Sequence, residues 1–133
     1  MEEQVLSIEQ MKHLIELGVD TSKASMCYQK TSYSIDEPFE DELCIGFDGK
    51  NGIPTFTLQD ILEMLPFNIM DSNDVIYILN VEKYEKFYRT TYVHRDGDMT
   101  KRLVGRIGDT ILESAYKMLS WVLKKNHEKY TSK

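Results

Sequence analysis

Three helix-start signals partition this chain of 133 residues and limit what can lie between them. Ser7 is followed three residues later by Gln10, a reciprocal pattern in which a hydroxyl accepts from a backbone N–H and the amide side chain reaches back to the cap. Ile8, Met11, Leu14, Ile15 and Leu17 then recur at helical spacing, and Gly18 suits the left-handed residue that closes a last turn. Thr57 opens a second stretch, with Leu58, Ile61, Leu62 and Leu65 as its apolar stripe and Pro66 as its stop. Thr110 and Glu113 open the third and longest, to about residue 126. Its residues Ile111, Leu112, Ala115, Met118, Leu119, Val122 and Leu123 form a face broad enough to lie across a sheet.

Between these helices the pattern turns β-like. Residues 24–34 carry Met26, Tyr28, Thr31 and Tyr33, residues 42–47 form a second apolar strand, and the acidic loop "IDEPFED" joins them as a hairpin. Gly49, Asn51, Gly52 and Pro54 then read as a chain reversal. Residues 75–81 are almost unbroken apolar and residues 87–94 alternate, which makes a second hairpin, whereas "RDGDMTKRLVGRIGD" reads as a loop. The order α-β-β-α-β-β-α predicts an α+β fold: a largely antiparallel sheet of about four strands in two hairpins, with two to three helices packed on it. Leu14, Leu62, Ile78, Leu119 and Val122 are the expected core markers. A single domain is expected over 1–133, frayed at about 1–5 and 127–133.

Composition narrows the class. A hydrophobic share of 41% with 29% charged residues is that of a folded globular chain. An acidic start and the absence of any long apolar run point to the cytoplasm. Cys27 and Cys44 both lie in strand patterns and read as reduced core residues. The net charge of −6 argues against general nucleic-acid binding. It hides an asymmetry, since residues 101–133 hold eight cationic side chains against three acidic ones.

No catalytic constellation stands out. His94-Arg95-Asp96 matches a fragment of the protein-kinase signature without its phosphate loop, and His13, His94 and His127 fall on separate elements with no ligand spacing, so no metal and no cofactor is expected. The enzymatic alternative rests on Asp41, Glu42, Asp48 and Lys50, a carboxylate, carboxylate, lysine set of the kind that holds Mg²⁺ in metal-dependent nucleases. Lys101, Arg102 and Arg106 precede the last helix, whose N-terminus favours an anion, and are the candidate anion site. Tyr88 and Tyr92 on one strand, with Trp121 on the last helix, are the candidate interaction surface.

The segments "IELGVDTSKASMCY", "IPTFTLQDILEMLP" and "AYKMLSWVLKKN" resemble a group of small proteins without known activity encoded by gut Bacteroides-type bacteria, their prophages and related phages. The resemblance spans most of the chain and carries no catalytic or binding residue with it. It implies a cytoplasmic accessory protein of phage or mobile-element origin. Together with the missing chemistry this gives a first expectation of an adaptor that binds a protein partner, alone or as a homodimer. Weak nucleic-acid binding and the metal-dependent nuclease are the alternatives, and no membrane role is expected.

Overall fold

A computed structural model of the chain describes residues 5–30, 41–45 and 52–131. The fold is α+β, with three α-helices and antiparallel sheets. The chain divides into two compact units, Met1–Asp60 and Ile61–Lys133.

In the first unit, helix α1 (Ile8–Glu16) begins with the reciprocal cap expected of Ser7 and Gln10: the Gln10 N–H donates to Ser7 Oγ at 3.1 Å and the Ser7 N–H to Gln10 Oε1 at 2.9 Å. Strand β1 (Met26–Lys30) pairs antiparallel with β2 (Asp41–Ile45) on one side and β3 (Gly52–Thr55) on the other, and the register sets Cys27 opposite Cys44. The pair β1 and β2 is the first expected hairpin pair. Strand β3 is not expected from the sequence, where its glycine and proline read as part of the chain reversal. Pairing with β1 carries it, and Pro54 is tolerated because β3 is an edge. The acidic connection, residues 31–40, and most of the reversal, residues 46–51, lie outside the described residues.

Leu6 ties this unit together. Its N–H donates to the Phe56 carbonyl at 3.1 Å, and its own carbonyl accepts from Thr55 Oγ1 at 2.7 Å and from the Tyr28 hydroxyl at 3.0 Å. Both buried hydroxyls are thereby paired, which removes the penalty of burying them alone. A second knot is polar and lies at helix α2 (Leu58–Met64). Thr57 caps it as expected, accepting from the Asp60 N–H at 3.2 Å. The Asp60 carboxylate in return accepts from the Thr57 N–H at 3.0 Å, the Ser25 N–H at 2.9 Å and Ser25 Oγ at 2.5 Å. Burial pushes the Asp60 pKa up, but the hydrogen bonds from Ser25 and Thr57 outweigh it and hold the carboxyl below its ordinary range.

The second unit is a four-stranded antiparallel sheet in the order β4 (Asn68–Met70), β5 (Ile76–Lys83), β6 (Tyr88–Asp96), β7 (Met99–Gly108), with helix α3 (Ile111–Thr131) after it. The central pair, β5 and β6, is the second expected hairpin. The stretch read as a loop is strand β7. Gly97, at φ +62°, makes the tight reversal from β6, after which nine of the ten residues of β7 pair back along it. Lys101, Arg102, Arg106 and two glycines hide the strand, because an edge strand tolerates charges and does not need the alternation of a half-buried one.

Residues directly opposite on antiparallel strands share a face. Leu79 pairs with Tyr92 and Val81 with Thr90, and this is the side that meets α3: the Thr90 and Ser114 hydroxyls lie 2.8 Å apart, and Ala115, Met118, Leu119 and Val122 are buried. Of the expected core markers, Leu14, Leu119 and Val122 are buried and Leu62 is half-buried, but Ile78 is 46% exposed. Ile78 pairs with Val93 and so points away from the helix. Among the described residues no helix is long and apolar enough to cross a membrane.

Where β7 turns into α3, a Cβ on Gly108 would stand 2.5 Å from the Ser114 backbone nitrogen and 2.8 Å from Glu113 Cβ. Backbone cannot yield as a flexible side chain does, so Gly108→Ala is expected to destabilise by about 1–3 kcal/mol, read as a lower urea midpoint; an unchanged midpoint would contradict this junction. Asp60→Asn tests the polar knot. Folding lowers the Asp60 pKa, so its contribution is complete above the unfolded carboxyl value of about 3.9 and is lost as pH falls below that toward the lower folded value. The variant is therefore expected to be less stable at neutral pH by about 1–3 kcal/mol, with the gap to the natural protein closing in acid.

Candidate functional site

The sheet of the second unit carries α3 on one face; the other is open along β4 and β5, although Thr91 and Val93 on that side of β6 are buried. On the open face Met70 stands opposite Ile76 and Ile78 opposite Val93, and Met70, Ile76 and Ile78 remain 58%, 45% and 46% exposed. A contiguous exposed apolar row is more often a binding surface than singly scattered apolar side chains are.

Local chemistry holds the row in place. Asp71 closes the turn between β4 and β5, accepting from the Asn73 N–H at 2.9 Å and the Val75 N–H at 3.0 Å on Oδ1, and from the Tyr77 hydroxyl at 3.1 Å on Oδ2. The backbone bond from Val75 is the main cause of a carboxyl held below its usual range. Asp74 takes φ +63° in the same turn, a conformation Asp tolerates better than most residues. That turn sets Met70 beside Ile76. The edge of the Tyr77 ring meets the His94 ring at 6.1 Å between centroids, and His94 Nδ1 lies 3.0 Å from the Ile76 carbonyl. A groove of about 470 Å³ runs over this part of the sheet, floored by Ile76, Ile78 and Val93 with Asn80 and Arg95 at its sides. A second hollow of about 360 Å³ shares His94 and reaches Met99 and Lys101.

The far end of the same face is polar. Glu82 accepts from the Tyr84 hydroxyl and pairs with Arg102 at 3.4 Å, while the Arg89 guanidinium stands 4.8 Å over the Tyr84 ring, which stacks on Phe87. The tyrosine bond, aided by the two guanidinium charges, holds the Glu82 carboxyl low against the effect of burial. At that end Arg102 is ion-paired and Arg89 lies on an aromatic ring, although Glu82 Oε1 and Arg89 Nε are buried with no hydrogen-bond partner among the described residues. Near the groove Arg95 is exposed and makes no ion pair among the described residues.

The residues expected from the sequence are placed otherwise. Asp41 and Glu42 lie on β2 opposite Lys30 and Gln29, while Asp48 and Lys50 lie outside the described residues, so the four are not brought together within them. Among the described residues no group of three or more His, Cys, Asp and Glu is placed to hold a metal. Lys101, Arg102 and Arg106 are strung along β7 instead of gathered in a loop before α3. Arg102 is paired with Glu82, and Arg106 donates to the Gly105 carbonyl at 3.0 Å. The N-terminus of α3 already has its own acceptors: the Glu113 N–H donates to Thr110 Oγ1 at 3.0 Å and the Asp109 N–H to Glu113 Oε2 at 3.1 Å. Lys117 reaches back from α3 to the Ile107 carbonyl at 2.9 Å.

Tyr92 cannot serve as an interaction residue. It is fully buried against the helix side, and its hydroxyl donates to the Pro66 carbonyl at 2.7 Å. Its partner in that expectation, Tyr88, is half-buried, and Trp121 is half-buried with the Lys125 ammonium 5.8 Å from its ring. Sequence reasoning missed Met70, Ile76, Ile78 and Arg95. The signal was present in residues 75–81, which are apolar at both parities: an antiparallel strand covered on one side only must then expose apolar side chains on the other.

No family model, no curated protein and no solved structure matches this chain. With Arg102 neutralised and the remaining cations of β7 spread along a strand, replacing Lys101, Arg102 and Arg106 together by Ala is expected to change the anisotropy of a labelled single-stranded oligonucleotide by less than about twofold in affinity at 0.15 M salt. A large, salt-sensitive loss would restore the basic strand as a nucleic-acid site.

Proposed function

We propose that this chain is a non-enzymatic accessory or adaptor protein that acts by docking a protein partner on the open face of its four-stranded sheet. One observation carries the reading: Met70, Ile76 and Ile78 form an exposed apolar row beside Arg95, which makes no ion pair among the described residues, an apolar centre with an arginine at its margin, as in many protein interfaces. The resemblance to small proteins of Bacteroides-type bacteria and their phages supports placing it in the bacterial cytoplasm as a product of phage or mobile-element origin.

The test is site-specific crosslinking in the cells that make the protein. A photoreactive phenylalanine at Ile78 is expected to give one discrete adduct of higher mass, and the same group at exposed Lys12 on α1 is expected to give none. Adding Ile76→Ser should weaken the adduct at position 78. Equal labelling from both positions, or none from either, would remove the open face as a docking surface.

A further inference from the structure

We propose that the groove on the open face takes an extended peptide segment of a partner in which apolar side chains flank a carboxylate, with Arg95 as the cation that reads the acid. The inference rests on the docking reading above and names what the docked segment looks like. The floor is apolar, Ile76, Ile78 and Val93, and among the described residues no acidic side chain lines the groove. Its volume of about 470 Å³ suits a few side chains of an extended segment. Among the described residues Arg95 is the only Lys or Arg lining it, and it is exposed and makes no ion pair among them, whereas Arg102 on the neighbouring strand is held by Glu82. A guanidinium offers two parallel donors that match a planar carboxylate, and an apolar floor beside the pair excludes part of the water that would screen it.

The alternatives fit less well. Among the described residues no Phe, Tyr or Trp lines the groove, and His94 is the one aromatic ring there on which a nucleic-acid base could stack. A second copy presenting the same face about a two-fold axis through the groove would bring one Arg95 toward the other, with no acid lining the groove among the described residues to separate them. A partner's acidic segment meets neither objection.

The experiment uses the full chain, labelled with ¹⁵N, and two acetylated probe peptides, Gly-Leu-Glu-Leu-Gly amide and its twin with Gln in place of Glu, at low salt. Both peptides are expected to move the backbone amide signals of Ile76, Ile78, Val93 and His94, and the Glu peptide to bind about five- to tenfold more tightly. Arg95→Gln, at an exposed position where folding is not at stake, should bring the Glu peptide down to the affinity of its twin and leave the twin unchanged. Ile78→Asp should abolish both. Equal affinity for the two peptides in the natural protein would overturn the acid preference while leaving the docking face intact. Persistence of the Glu preference in Arg95→Gln would overturn the assignment to Arg95. No shift at any groove amide with either peptide would overturn the inference and count against the docking face itself.

Discussion

The second unit depends on a buried tyrosine hydroxyl. Tyr92 is fully enclosed, and an enclosed hydroxyl without a partner would cost about 1–3 kcal/mol; here it donates to the Pro66 carbonyl at 2.7 Å. That bond fixes more than one side chain. Side chains along a strand alternate, so placing Tyr92 against the helix side assigns every residue of β6 to a face, and through the register every residue of β5 as well. Leu79 goes inward with Tyr92. Ile78 and Val93 go to the other side, and the open apolar face follows from the same choice.

Much of the fold was legible for a local reason. Helix caps are written within four residues, so Ser7 with Gln10, Thr57 with Asp60 and Thr110 with Glu113 could each be found without tertiary knowledge. The two expected strand pairs were legible as well. The candidate site was not, and the failures at Ile78 and Tyr92 are one error seen from two strands. Residues 75–81 are apolar at both parities, and residues 88–92 place Tyr or Thr at four of five positions, so neither strand announces its inner side. Parity was decided by partners distant in sequence, Pro66 and Ser114, which no local pattern reveals.

Charge was misread for a related reason. Counting cations over the C-terminal quarter gives a basic segment, yet a strand distributes its side chains between two faces and exposes each to different neighbours. Arg102 meets Glu82, Arg106 turns onto a backbone carbonyl, and the helix N-terminus beyond them is occupied by Glu113. Arg95, outside that quarter, is the cation left beside the apolar groove.

Strand β7 is ten residues long and stands at the end of its sheet, a geometry that ordinarily invites further chains to stack on it and seed fibrils. Its register is broken between Tyr92 and Val93, which leaves Leu103 without a partner of its own and bends the strand out of the flat form a fibril needs. Two of its carbonyls, those of Gly105 and Ile107, are taken by Arg106 and Lys117. These features blunt the edge against the addition of a further strand, on the same sheet that carries the exposed apolar row.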